Sequence, residues 1–170
     1  MTHLVVTLIA PDRPGLVEGI AQCIAQHQGN WLDSRMARMD GQFAGIVRIA
    51  VAPEHRDGLS QALRALERLG ISLQIADSGQ PPSQEVRELR LALVGNDRPG
   101  IIRDITRRLA VLSVNLESLE TEVQPAPMSG EPLFHARALL ALPASLSQAH
   151  LQERLEELAD ELMVELTVPR

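Results

Sequence analysis

LVVTLIAPDRPGLVEGIAQCIAQHQGN, residues 4–30, returns 85 positions downstream as LRLALVGNDRPGIIRDITRRLAVLSVN, residues 89–115. Nine of the 27 aligned positions are identical: Leu4/Leu89, Leu8/Leu93, Asp12/Asp97, Arg13/Arg98, Pro14/Pro99, Gly15/Gly100, Ile20/Ile105, Ala25/Ala110 and Asn30/Asn115. Average composition gives roughly two by chance. Several other pairs keep apolar character, as in Ile9/Val94, Leu16/Ile101 and Ile24/Leu109. The offset is half of the 170-residue chain, so the sequence reads as one domain of about 80 residues written twice. Between the copies, Ser78–Gln84 (SGQPPSQ) has no apolar period, and its two prolines deny both helix and ladder. The expected organisation is a module over 1–78, a linker over 79–85 and a second module over 86–170.

Within the first copy the period changes in a definite order. Leu4–Ala10 is a nearly all-apolar, β-branched run, which predicts a central strand. From Leu16 the spacing is helical through Ile20 and Ile24, and Gly29-Asn30 closes that helix. Trp31–Met39 alternates, Asp40-Gly41 is a hairpin signal, and Phe43–Val51 is a second alternating run. Leu59, Ala62, Leu63, Leu66 and Leu69 mark another helix stopped by Gly70, and Ile71, Leu73 and Ile75 a last strand. The second copy repeats the order through Leu89–Val94, a helix carrying Ile101, Ile105 and Leu109, strands Leu116–Val123 and Phe134–Leu142, a helix carrying Leu151, Leu155 and Leu158, and Met163–Val168. A proline-rich tip, Pro125–Pro132, replaces the short Asp40-Gly41 turn, and Ser145 with Gln148 reads as a capping box. Each copy is thus βαββαβ, a split βαβ unit. The fold class is α+β, two ferredoxin-like modules with four-stranded antiparallel sheets and helices on one face.

Composition removes several functions. All 16 cationic side chains are arginine, so Schiff-base lysines and the lysine of a Walker-type phosphate loop are excluded. With no Tyr, one Trp and two Phe there is no stacking platform for single strands, and a net charge of −6 disfavours phosphate binding. The five histidines are scattered singly, and Cys23 sits at helical spacing as a packing thiol. No nucleophile–base pair or metal-ligand spacing emerges, so no enzyme, no cofactor and no catalytic or metal residue is expected. The carboxylates Glu153, Glu156, Glu157, Asp160 and Glu161 read as a solvated helix face. Arg103, Arg107 and Arg108 form a basic stripe, better suited to a protein partner than to a DNA groove. No apolar run reaches a membrane span, no signal peptide opens the chain and the thiol is unpaired, which predicts a cytoplasmic protein without membrane contact.

The repeated Asp-Arg-Pro-Gly joins the first strand of each copy to its first helix. Asp12 is placed to cap the helix, Pro14 to occupy its first turn, and Gly15 to leave the backbone bare at the positive end of the helix dipole. Such a turn is a receptor for a small carboxylate, with Arg13 as a charged donor. The same four residues also make a good helix start with no ligand, and duplication of the fold duplicates both readings. Asn30 and Asn115 open the second strand of each copy, where they either face the turn or end the preceding helix in a left-handed conformation.

A βαββαβ unit of this size, with a D-R-P-G turn before an apolar helix, resembles the ACT domain, and the resemblance covers nearly the whole chain as two modules. It implies regulatory modules that bind small amino acids, with no catalytic residues. The ligand loop falls on Asp12, Arg13, Pro14 and Gly15, and on Asp97, Arg98, Pro99 and Gly100, with Asn30 and Asn115 beside it. A free-standing tandem pair is similar to the ACT repressors of glycine cleavage genes. By that likeness the chain senses a small amino acid, glycine first, and restrains a LysR-type transcriptional activator by protein contact, with no direct nucleic-acid binding. The alternative is an amino-acid-responsive regulatory subunit of a metabolic enzyme. ACT-like sheets cover their open edges by pairing, so a homodimer is expected. The second copy departs from the pattern at Val114, where the first has Gly29, and at its proline-rich tip.

Overall fold

The structure, a computed structural model, describes residues 1–78, 85–158 and 162–169. The chain divides into two compact units, Met1–Pro81 and Pro82–Arg170. Of the expected linker, residues 79–84 lie outside those described, as do Asp160 and Glu161 of the acidic helix face.

The first unit runs β1 (Thr2–Pro11), α1 (Leu16–Gln26), β2 (Asn30–Met39), β3 (Gln42–Val51), α2 (Pro53–Ala65), a 3-10 turn (Leu66–Leu69) and β4 (Ser72–Asp77). The second runs β5 (Val86–Asn96), α3 (Ile101–Val111), β6 (Asn115–Pro125), β7 (Pro132–Pro143), α4 (Gln148–Glu156) and β8 (Leu162–Thr167). The sheets have strand orders β2-β3-β1-β4 and β6-β7-β5-β8, every neighbouring pair antiparallel. This is the βαββαβ architecture that the periodicities predict, with β1 and β5 central. The apolar run Leu4–Ala10 is nonetheless buried on one side only. Leu4, Val6, Leu8 and Ala10 enter the core, while Ile9 is 50% exposed on the face without helices. An all-apolar run marks a central strand, but half of its side chains still belong to the open face of a two-layer fold.

Each unit has its own core. In the first, Leu4, Leu8, Ile20, Ile24, Leu59 and Leu63 are almost fully enclosed, and in the second Leu93, Leu140, Leu142, Leu151 and Leu155 are. Among the described residues no polar or charged residue is buried.

Several local expectations change. The second helix begins at Pro53, six residues before Leu59, and its last turn tightens to 3-10 before Gly70 at φ 85°. The cap of α4 is Ser147, whose hydroxyl accepts the His150 amide at 3.1 Å, and not Ser145. The left-handed residues that end α1 and α3 are Gln28 (φ 63°) and Ser113 (φ 59°), so neither asparagine has that role. The basic stripe of α3 is largely neutralised. Arg108 donates to Glu157, just past the end of α4, at 2.7 Å and Arg103 contacts Asp104 at 3.4 Å, leaving Arg107 without an ion pair among the described residues.

Candidate functional site

The turn between β1 and α1 is built by the hairpin beside it. The Asp12 amide donates to the Gly41 carbonyl at 2.9 Å, tying the end of β1 to the tip of the β2–β3 hairpin. Arg38, three residues before that tip, donates through Nη1 to Asp12 Oδ2 at 3.2 Å. Asp12 therefore looks toward the hairpin, and does not cap the helix. The residue at the cap is Gly15, at φ 81° and without any side-chain cap bond, and Pro14 precedes the cap where the first helical turn was expected. An Asp that caps needs extended backbone directly before the helix. Here a left-handed glycine makes the reversal three residues later, which carries Asp12 out of reach.

The consequence is an open helix start. Gly19 makes the first intrahelical bond, to the Gly15 carbonyl at 3.0 Å, so the amides of Leu16, Val17 and Glu18 have no helical acceptor. A Cβ built on Gly15 meets nothing within 4 Å. Arg13, Pro14 and Gly15 are exposed, and Arg13 has no ion pair among the described residues. Glu18 stands in the first turn, so the rim carries Arg13 and bare amides beside the carboxylates of Asp12 and Glu18. That mixture suits a zwitterion better than a simple anion.

The second turn has the same backbone and a different lining. The Asp97 amide donates to the Pro132 carbonyl at 3.1 Å, and Gly100 caps α3 at φ 86°. Position 104 is an aspartate where the first copy has Gly19. Arg98 folds over the turn onto it, donating through Nη1 to Asp104 Oδ2 at 3.1 Å and to the Pro99 carbonyl at 3.3 Å. Arg103, in the place of Glu18, lies across Gly100, its Nη2 only 2.9 Å from where a Cβ would stand. The hydrogen bond from Arg98, with Arg103 beside it, holds the Asp104 carboxyl below the ordinary carboxylate range. The two arginines of this turn are spent on the chain's own acid.

Asn30 and Asn115 do not join either turn. Asn30 lies opposite Ala50, itself opposite His3, whereas the turn follows Pro11 at the other end of β1. Eight residues of strand separate the two rows, about 27 Å. Asn115 opposite Ala141 and Glu88 repeats the separation. The strand after an α-helix that runs back along the sheet starts at the far end, so the asparagines open β2 and β6 away from the turns. Conversely, Arg38 and Asp104 were not singled out from the sequence. Arg38 needs the hairpin register to be placed beside Asp12. Asp104 stands one turn into the helix and opposite Gly19 in the repeat, a difference legible from the alignment of the two copies.

Among the described residues no group of three or more His, Cys, Asp or Glu is assembled, and no helix is long and apolar enough to cross a membrane. Burial pushes the Cys23 thiol above its ordinary value, away from the thiolate that nucleophilic chemistry needs.

The ACT domain family model matches residues 2–76. Over 164 residues the chain is 23% identical to the glycine cleavage system transcriptional repressor of Escherichia coli (strain K12), covering 94% of this chain and 85% of that protein. Over 75 residues it is 32% identical to a UPF0237 protein of Methanocaldococcus jannaschii, covering 44% of this chain and 82% of that one. A crystal structure of a Galdieria sulphuraria protein superposes with a TM-score of 0.81 at 28% identity, covering 99% of each chain. Repeat, topology and sequence likeness agree: the first module, over residues 2–76, belongs to the ACT-domain family, and the second repeats its βαββαβ topology.

Proposed function

We propose that the chain is a non-catalytic regulator that binds a small amino acid, glycine first, at the Asp12–Gly15 turn and thereby changes its hold on a transcriptional activator. The observation that carries this reading is the contrast between the two turns. In the first, Arg13 and the amides of Leu16 and Val17 are free to receive a carboxylate, and Asp12 Oδ1 is left to take an ammonium while Oδ2 serves Arg38. In the second, Arg98 and Arg103 already lie on Asp104 and Gly100. The full-length likeness to a repressor named for the glycine cleavage system supports both the ligand and the target. The activator is expected to be of LysR type by the family resemblance, contacted as a protein and without direct DNA binding. A coupling of about 1–3 kcal/mol between ligand and activator makes an effective switch, and it is reciprocal.

Titration calorimetry of the full chain with glycine and other small amino acids tests the proposal. One site per chain is expected. Gly15→Val should abolish binding, because the side chain enters the space the ligand needs, and Gly100→Val should leave binding unchanged. Both variants carry the strain of a β-branched residue at positive φ, about 1–2 kcal/mol, so Gly100→Val is also the control for strain. If no amino acid binds at millimolar concentration while the activator still does, the chain is a constitutive adaptor and the switch is wrong.

A further inference from the structure

The two modules differ on the sheet face that carries no helices. In the second sheet the register sets Glu120, Arg137, Ala92 and Glu165 in one row across the four strands, with Leu139, Arg90 and Thr167 in the next row. These side chains surround a depression of about 490 Å³, with the short Ala92 among the charged residues. The matching rows of the first sheet are Arg35, Ile46, Thr7 and Gln74, then Arg48, Val5 and Ala76. There the inner strands present Ile46, Thr7 and Val5, and Arg48 is paired with Asp33.

The charges of the second face are not paired in this way. Arg137 stands 3.8 Å from Glu120, beyond hydrogen-bonding distance. Arg90 and Glu165 are exposed and make no hydrogen bond or ion pair among the described residues. Arg90 lies opposite Thr167 and Ala92 opposite Glu165, so Arg90 and Glu165 are diagonal neighbours with β-carbons about 7–8 Å apart. Arg137, also opposite Ala92, is diagonal to Arg90 on the other side.

These charges select the class of ligand. Two guanidiniums and two carboxylates sum to zero, so a dianion gains from the arginines but is repelled by Glu120 and Glu165, and a dication meets the reverse. A zwitterion satisfies both signs. The diagonal sets its length: two extended residues span about 7 Å, whereas the charges of a single α-amino acid are adjacent. Ala92 and Leu139 give such a chain an apolar floor, and Thr167 sets a hydroxyl beside it. The volume falls within the range of about 300–1,000 Å³ usual for small-molecule sites.

We propose that the open sheet face of the second module binds a linear zwitterion of dipeptide length, its carboxylate on Arg90 with Arg137 alongside and its ammonium on Glu165. This goes beyond the reading of the Asp12–Gly15 turn and stands without it. Because the charged groups are exposed, the attraction is modest and falls as salt is added.

Titration calorimetry of the full chain is the test, with glycylglycine and 5-aminopentanoate as probes, which have the same number of bonds between nitrogen and carboxylate. At least one should bind at millimolar concentration, while glutarate and 1,5-diaminopentane, like-charged at both ends, should not. Tighter binding of glycylglycine assigns the site to peptides, and tighter binding of 5-aminopentanoate to free amino acids. Arg90→Glu or Glu165→Arg alone should weaken the binding about tenfold, and the double exchange should restore it, because the zwitterion then lies end for end. Ala92→Leu should abolish binding by filling the depression, with an unchanged circular-dichroism spectrum. All of these variants leave the Asp12–Gly15 turn intact, so any glycine response they keep reports on that turn alone. Failure of both zwitterions to bind, equal binding of glutarate, indifference to Ala92→Leu, or single defects that the double exchange does not rescue would each overturn the proposal.

Discussion

Asp104 is where two otherwise matching turns part company. Its carboxylate receives Arg98 at 3.1 Å and Arg103 at 3.4 Å, and Gly19 offers nothing comparable in the first copy. The Arg98 bond lowers the folded-state pKa of Asp104 below its unfolded value. A depressed carboxyl contributes stability that is fully present above the unfolded pKa and is lost as pH falls through the folded one. Asp104→Asn should therefore melt below wild type at neutral pH, and the gap should close as the solution is acidified past the carboxylate range. Melting curves of both proteins across that range check this, and a gap independent of pH would mean that the ion pair contributes nothing. The effect should be small because the partners are exposed. The same variant frees Arg98, so its glycine stoichiometry also reports whether the acid is what closes the second turn.

The end of α1 shows how one element constrains the next. Gly29 sits where the chain leaves the helix and starts β2, and a Cβ there stands 2.8 Å from Ile24 Cγ2 and 3.1 Å from Leu59 Cδ2. The corresponding residue of the second copy is Val114, buried beside Leu109 in place of Ile24. A leucine lacks the β-branch that crowds this corner, which explains why a valine is accepted there. Gly29→Ala should cost about 1–3 kcal/mol by overpacking, and Ile24→Leu added to it should recover part of the loss. Chemical denaturation of the single and double variants measures the coupling, and strictly additive effects would remove Ile24 as the cause. Without the Cγ2 contact in view, Gly29-Asn30 looked like an ordinary helix-stopping pair, whereas the left-handed turn is made by Gln28.

Across the whole chain, the two cores share no residue, each being enclosed by its own sheet and helices. Leu63 is fully enclosed in the first of them, so Leu63→Ala should cost about 2–5 kcal/mol. The loss belongs to one module. Calorimetry should show the transition of the first module displaced to lower temperature and that of the second unchanged, and a single transition displaced as a whole would mean that the modules unfold as one. Element order, strand polarity and the placement of both turns were legible in the sequence, because they follow from apolar periods and glycine positions that act over a few residues. Site membership was not, because Asn30 is close to the turn in sequence and about 27 Å from it across the sheet.

By itself, the sequence determined that one βαββαβ unit is written twice, that β1 and β5 run through the centre of their sheets, and that Asp12–Gly15 and Asp97–Gly100 are the turns that lead from those strands into helices. Those features rest on local periodicity and on the conformational freedom of Gly15 and Gly100 at positive φ. Tertiary structure alone decided that Asp12 faces Arg38 and that Arg98 closes the second turn through Asp104. Each of these is a meeting of side chains with groups on a neighbouring strand or turn, and register, not spacing along the chain, sets which groups meet.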